Sequence, residues 1–178
     1  VDIGMLDCQL ALLENAVMRY QVSGTAPGPL GARHPSITPF EAYKTKDGYI
    51  IISAGNDGLF AKLAEALENP GWAEDPDYSS NDNRNKHVEK LKIEMESVLT
   101  THTTSHWIEV LDKFGVPSGP INDIGQAATH PQTIARNMIV SVDDPITGPM
   151  KVAGNPIKIS GFEDPETRDP APNLDQNR

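Results

Sequence analysis

An Asp-Gly pair between two β-rich runs is the feature that most narrows the folds open to this chain. The runs cover residues 40–45 and 49–54, and Lys46-Asp47-Gly48 separates them. Asp-Gly between such runs is typical of an antiparallel hairpin. After the sequence GNDG, residues 55–58, the apolar spacing becomes helical. A hairpin followed by helices predicts an α+β fold, in which GNDG does not belong to a βαβ unit.

The first segment, residues 3–20, carries apolar residues on most of the circumference of a predicted helix. Asp2 is the predicted N-cap of this helix and Gly24 the residue that follows its end. Cys8, inside the apolar stripe, is expected to be a buried thiol. So wide an apolar surface needs neighbours on both sides of the helix.

Later helices and strands are separated by connections rich in proline and glycine. Residues 25–35 and 115–123 are predicted loops, and Pro117 and Pro120 exclude a helix from the second. From residue 163 onward the chain has three prolines and few apolar residues, which predicts a surface tail. Helices are predicted at 59–67, 86–99, 105–114 and 121–129, and strands at 138–142 and 150–153.

Charge and apolar content exclude two classes of partner. Fifteen Lys and Arg against 25 Asp and Glu give a formal charge of −10, without a basic run to bind a phosphate backbone. The apolar runs fall short of the roughly 20 residues that a membrane span needs. We therefore expect neither nucleic acid nor a membrane as partner. Cys8 is the only cysteine and has no internal partner for a disulfide, so a cytoplasmic location is expected.

Two motifs carry the ligand types of a metal site but lack the rest of its pattern. His102 and His106 have the i, i+4 spacing of a metal-binding helix face, yet the predicted helix begins between them. Residues 75–86, DPDYSSNDNRNK, begin like a calcium loop but lack its turn glycine and its final glutamate. No metal site is predicted, and a turn that caps the next helix explains the second motif better.

Two further segments have the composition of a binding loop. GNDG joins a strand to a helix, where backbone N–H groups can bind a phosphate or thioester oxygen. Alternatively, Asp57 serves only as a carboxylate at a helix N-terminus. His34 lies in the sequence GARHP, whose glycine and proline also suit a binding loop, although the residues alone predict no more than a surface position.

Five motifs in order resemble the family III CoA-transferases, the CaiB/BaiF group. They are VDIGMLDCQLALL, YQVSGTAPGPLGARHPSITPFEAYKTKDGYIIISAGND, HWIEVLDKFGVPSGPIND, HPQTIARNMI and GNPIKISG. The resemblance covers nearly the whole chain. It does not distinguish the formyl-CoA, carnitine-CoA, bile-acid-CoA and succinyl-CoA transferases from one another or from the α-methylacyl-CoA racemases.

The resemblance implies two lobes in each chain and a homodimer of interlinked chains. Residues 1–37 would be a helix and crossing linker of a large, Rossmann-like lobe. Residues 38–125 would form a small α+β lobe. Residues 126–178 would return to the large lobe and end in a surface tail.

The family's activity is the transfer of CoA between carboxylic acids, with acyl-CoA and a small acid as substrates. An Asp carboxylate attacks the thioester to give a mixed anhydride, and the released CoA thiolate then forms an aspartyl thioester. The resemblance places this Asp, and most residues that bind the CoA nucleotide, before Val1, and so implies that Val1 is a break point within a larger enzyme. We therefore expect no catalytic residue in these 178 residues, no activity from them alone, and CoA binding no tighter than roughly millimolar.

The resemblance assigns four residues to substrate binding. Gly31, Arg33 and His34 occupy the place of a glycine-rich loop that closes over the active site in some family members. Asp57 falls near a position that holds an active-site Glu in others. An acyl-CoA racemase and a non-catalytic interaction module derived from the small lobe remain the alternative functions.

Overall fold

The computed structural model describes residues 2–172 and 174. The chain divides into two units, Val1–Pro120 and Ile121–Arg178, and each is described by itself. Val1, the predicted break point, lies outside the described residues, as do residues 173 and 175–178 of the predicted tail. In the part of the chain that is described, no helix is long and apolar enough to cross a membrane.

The predicted N-terminal helix is two helices, α1 (Met5–Leu12) and α2 (Glu14–Ser23). Its N-cap is Gly4 rather than Asp2, and Gly24 ends α2 in the left-handed conformation, as predicted. Apolar spacing runs unbroken across the junction, so it could not reveal the break. Within the described chain neither helix has a buried residue. The prediction of a buried Cys8 thiol is wrong, because nothing in this unit covers the stripe and the side chain is exposed.

The predicted hairpin is confirmed and forms most of an antiparallel sheet. Strand β1 (Phe40–Lys44) pairs with β2 (Tyr49–Ser53). A third strand, β3 (Ser118–Pro120), pairs with β2 where the sequence predicted only a loop. Because proline lacks an N–H donor, Pro120 is tolerated in an edge strand, so excluding a helix there did not exclude a strand.

Four helices and a 3-10 turn complete the first unit. They are α3 (Asp57–Ala66), the 3-10 helix Pro70–Ala73, α4 (Asn81–Lys86), α5 (Val88–Leu99) and α6 (Thr104–Phe114). Helices α3, α5 and α6 were predicted, and their apolar faces pack with the sheet. The core they form includes Tyr43, Ile50, Ile52, Phe60, Leu63, Leu67, Tyr78, Leu91, Met95, Leu99, Trp107 and Leu111. Helix α4 was missed, because NDNRNK contains no apolar residue.

The second unit contains two short helices and a three-stranded sheet. Helices α7 (Ile124–Thr129) and α8 (Pro131–Ala135) precede β4 (Ile139–Asp144), β5 (Gly148–Ala153) and β6 (Thr167–Arg168). The sheet order is β5-β4-β6, with β4 and β5 antiparallel and β4 and β6 parallel. The predicted strands are confirmed, whereas β6 lies inside the predicted tail. The fold class is α+β, as predicted, and the division into 1–37, 38–125 and 126–178 stays a prediction.

Candidate functional site

Asp57 stands at the first position of α3, in the GNDG segment, residues 55–58, which we call the Asp57 turn. The Asn56 side chain caps the helix by accepting a hydrogen bond from the Leu59 N–H at 2.9 Å. Asp57 is therefore not the capping residue, and its side chain is 65% exposed. Its Oδ1 accepts a hydrogen bond from the Arg84 guanidinium at 2.7 Å. The hydrogen bond from Arg84 thus orients the carboxylate, which remains open to solvent.

Arg84 is completely buried and ties three segments together. Besides Asp57, it donates from Nε to the Thr38 carbonyl at 2.7 Å and from Nη1 to the Tyr78 carbonyl at 2.8 Å. Its guanidinium lies over the Phe60 ring, 4.5 Å from the centroid, in cation–π contact. A buried charge is tolerated only when it is paired and hydrogen-bonded, and Arg84 meets both conditions.

No sequence signal singles out Arg84. It lies in the polar run NDNRNK, which is typical of a solvated helix. Only its hydrogen bonds to the carbonyls of Thr38 and Tyr78 identify Arg84 as an internal residue.

Two asparagines of α4 hold the end of the predicted binding loop. Asn81 and Asn85 both donate from Nδ2 to the Ser36 carbonyl, at 2.9 and 2.8 Å. The Oδ1 of Asn81 accepts from the Thr38 N–H at 3.1 Å, and the Oδ1 of Asn85 accepts from the Thr38 hydroxyl at 2.6 Å. One polar face of α4 therefore fixes the backbone of residues 36–38.

The predicted loop residues lie just before this anchor, in what we call the 31–36 loop. Gly31 has φ +64°, with no heavy atom within 4 Å of the position of an added Cβ. This backbone conformation favours glycine. Arg33 is half-buried. His34 donates its backbone N–H to the Phe40 carbonyl at 2.8 Å and stacks on the Phe40 ring, with centroids 5.2 Å apart.

The tautomer of the neutral His34 ring follows from its hydrogen bond with Ser36. The Ser36 N–H donates to Nδ1 at 3.2 Å. Because Nδ1 accepts, the neutral ring carries its proton on Nε2. His34 therefore offers an N–H donor at the outer end of the imidazole, which suits a carboxylate or thioester oxygen.

The structure brings residues 37–39, which follow the 31–36 loop, beside the start of the Asp57 turn. The Ala54 N–H donates to the Pro39 carbonyl at 2.9 Å. An added Cβ on Gly55 would lie 3.1 Å from Cγ2 of Ile37, so glycine permits the close approach. Arg84 links the two segments by its hydrogen bonds to the Thr38 carbonyl and the Asp57 carboxylate. Gly31, Arg33, His34 and Asp57 as substrate-binding residues stay a prediction.

The two metal-like motifs serve local structure. His102 and His106 stack on each other with ring centroids 4.3 Å apart, and α6 begins between them after the N-cap Thr103, as predicted. In residues 75–86, Asp77 pairs with Lys90 at 2.8 Å, which lowers the pKa of the Asp77 carboxyl. Ser80 then caps α4. Among residues 2–172 and 174, no three His, Cys, Asp or Glu side chains are grouped to hold a metal ion.

Comparison with known proteins gives a consistent set of matches. Residues 1–178 match the model of CoA-transferase family III. Acetyl-CoA:oxalate CoA-transferase of Acetobacter aceti is 39% identical over 176 residues, 99% of this chain and 44% of the relative. Human succinyl-CoA:glutarate CoA-transferase is 30% identical over 170 residues, 96% of this chain and 39% of that protein.

A solved structure matches as well. The crystal structure of a CaiB/BaiF family protein from Brucella suis aligns with a TM-score of 0.77 and 32% sequence identity. The alignment covers 99% of this chain and 45% of that one. The chain thus spans less than half the length of the relatives that it matches.

Proposed function

This chain belongs to CoA-transferase family III, and from that membership we propose that it is part of an acyl-CoA:carboxylate CoA-transferase. The family match over residues 1–178 is the observation that carries the proposal. The relatives described above are named for transfer of CoA to oxalate and to glutarate. We therefore propose a CoA thioester as donor and a small dicarboxylic acid as acceptor.

The 31–36 loop and the Asp57 turn form the acyl side of the site in this proposal. Arg33 supplies a guanidinium that pairs with a carboxylate of the acid. His34 donates from Nε2 to a carboxylate or thioester oxygen, a role supported by the acceptor state of its Nδ1. Gly31 lets the loop turn. Asp57 presents an exposed carboxylate held by Arg84.

In the proposed reaction the charge develops on an oxygen at the acyl carbon. A carboxylate attacks the thioester carbon, the C–S bond breaks, and CoA leaves as the thiolate. The thiolate then attacks the enzyme's own carbonyl in the resulting mixed anhydride, which releases the donor acid and forms an enzyme-CoA thioester. The acceptor carboxylate attacks that thioester and again expels the thiolate, which attacks the acceptor's carbonyl in the second anhydride to give the new CoA thioester and the free enzyme carboxylate. The residues of this chain bind and orient the acid, and the nucleophilic carboxylate is proposed to lie outside these 178 residues.

The exposed apolar helices support a proposal about assembly. Met5 and Leu6 are 87% and 79% exposed, and the stripe continues through Leu10, Leu13 and Val17. Large exposed apolar surfaces mark interaction sites. We propose that α1 and α2 belong, with the rest of residues 1–37 and with 126–178, to a large lobe. Residues 38–125 would be the small lobe of a cytoplasmic, homodimeric enzyme.

An assay of the complete gene product that contains residues 1–178 tests the function. Acetyl-CoA and succinyl-CoA are each incubated with oxalate, glutarate or succinate, and new CoA thioesters are separated by chromatography. The proposal expects a new thioester that forms only when an acceptor acid is present. Hydrolysis alone would contradict it and would favour a hydrolase. In a parallel incubation with a 2-methylacyl-CoA, inversion without transfer would contradict it and would favour a racemase.

A further inference from the structure

We propose that Asn81 and Asn85 are positioning residues, which hold Ser36 so that His34 keeps the ring orientation and tautomer that the site uses. The inference rests on the proposed function for its catalytic consequence. Its structural part rests on contacts alone. Neither asparagine touches His34, so both act through the backbone of Ser36.

The two asparagines are spaced by one helical turn, and each uses both ends of its amide. Their Nδ2 groups both donate to the Ser36 carbonyl, which fills both lone pairs of that oxygen. Their Oδ1 atoms accept from the N–H and the hydroxyl of Thr38. These four hydrogen bonds connect residues 36–38 to α4 more densely than a chance surface contact would.

Ser36 passes this constraint to His34. The Ser36 N–H is the donor to His34 Nδ1, so the position of Ser36 decides whether that nitrogen accepts a hydrogen bond. At the other end of the loop, Gly31 and the residues that precede it from Tyr20 onward are exposed. Stacking on Phe40 fixes the plane of the His34 ring, and the bond from Ser36 selects which nitrogen carries the proton.

Asn→Asp substitutions test the inference, because Asp keeps the acceptor oxygen and the shape but loses the donor. The test variant is Asn81→Asp/Asn85→Asp, with the single Asn85→Asp as a milder form. Asn83→Asp is the matched control. It lies on the same helix, and its Nδ2 donates to the Pro76 carbonyl at 3.0 Å rather than to the loop. The fluorescence of buried Trp107 checks that each variant folds.

The first readout is the ¹⁵N NMR spectrum of the imidazoles in the 178-residue chain, with His34 assigned by its loss in His34→Ala. The wild type and Asn83→Asp are expected to show the Nε2–H form of His34. In the test variants the Nδ1–H form should rise. Trypsin cleavage after Arg33 should also become about tenfold faster, as expected from the loss of two neutral hydrogen bonds. An unchanged His34 spectrum in the folded double variant would overturn the proposal.

The second readout is kinetic and uses the complete gene product. The test variants should raise KM for the acceptor acid by about tenfold at nearly unchanged kcat, whereas Asn83→Asp should match the wild type. Equal kinetics in Asn83→Asp and the double variant would remove the functional part of the inference. If the wild type transfers no CoA while the His34 spectrum responds as expected, the proposed function fails and the positioning of His34 stands.

Discussion

Replacing Arg84 by Met tests whether the buried guanidinium holds the site together. The substitution keeps an unbranched apolar stem but removes the donors to Thr38, Tyr78 and Asp57. The two carbonyls are then left without a partner in a buried environment. Each such loss costs about 1–3 kcal/mol, and the removed cation–π contact with Phe60 adds about 1 kcal/mol. We expect a total loss of about 3–7 kcal/mol in the free energy of unfolding.

Asp57→Asn, at the other partner of the same ion pair, is expected to have a much smaller effect on stability than Arg84→Met. Asp57 is 65% exposed, so solvent screens its charge, and the asparagine oxygen can still accept the hydrogen bond from the Arg84 guanidinium. The loss should therefore be only about 1 kcal/mol. Arg84 keeps its two backbone carbonyls in this variant. The two substitutions of one ion pair should therefore differ severalfold in their effect on stability.

Urea unfolding followed by tryptophan fluorescence measures both variants. The chain has two tryptophans, Trp72 and Trp107, and both lie in the unit Val1–Pro120. Lys86→Met is the matched control, since Lys86 is an exposed cation on the same helix. If Arg84→Met destabilises the unit no more than Lys86→Met does, the reasoning about the buried guanidinium is refuted.

Three further outcomes are expected. Hydrogen bonding from the Thr104 backbone lowers the pKa of the exposed Asp47 below its ordinary 3.8. The carboxylate therefore stabilises the fold above pH 3.8, and this stabilisation is lost as the pH falls through the lowered pKa. Asp47→Asn should lower the urea midpoint more at pH 7 than at pH 2, and equal effects would contradict this. Gly154→Ala should lower the free energy of unfolding of the second unit by about 1–3 kcal/mol, because the added Cβ would lie 2.3 Å from the Asn137 carbonyl oxygen. Faster hydrogen exchange in β4 and β5 would report this loss. Gly28→Ala should be neutral, because an added Cβ there would have no heavy atom within 4 Å. Calorimetry of the 178-residue chain should detect no CoA binding tighter than about millimolar, and micromolar binding would show that the nucleotide site lies within it.

Local signals in the sequence predicted the parts of the fold that depend on local chemistry. Asp47-Gly48 specified the hairpin, and Thr103 and Gly115 specified both ends of α6. As turn and cap residues they act on backbone groups within a few positions of themselves, so this effect is visible in the sequence, whereas the hydrogen bond of Asp47 with the Thr104 backbone is not. The boundary errors, such as Asp2 in place of Gly4, arose where the apolar spacing extends beyond the helix.

Features that depend on distant contacts could not be predicted in this way. Strand β3 exists because residues 118–120 reach the edge of β2, more than sixty positions earlier in the chain. Arg84 is buried because carbonyls of two other segments face it. The candidate site likewise combines parts that the sequence predicted with a part that it did not. Its loop and turn were predicted from their composition and from the family resemblance, whereas the helix that joins them was not.

Steady-state CoA transfer by the complete gene product with His34→Ala tests whether the 31–36 loop contributes the acyl side of a CoA-transferase site, as proposed. We expect transfer by the wild type. In His34→Ala we expect a loss of at least about tenfold in kcat/KM for the acceptor acid, because a donor to a charged group is removed. Asn83→Asp should retain the wild-type value. A wild-type kcat/KM in His34→Ala would show that the loop does not serve the site in this way.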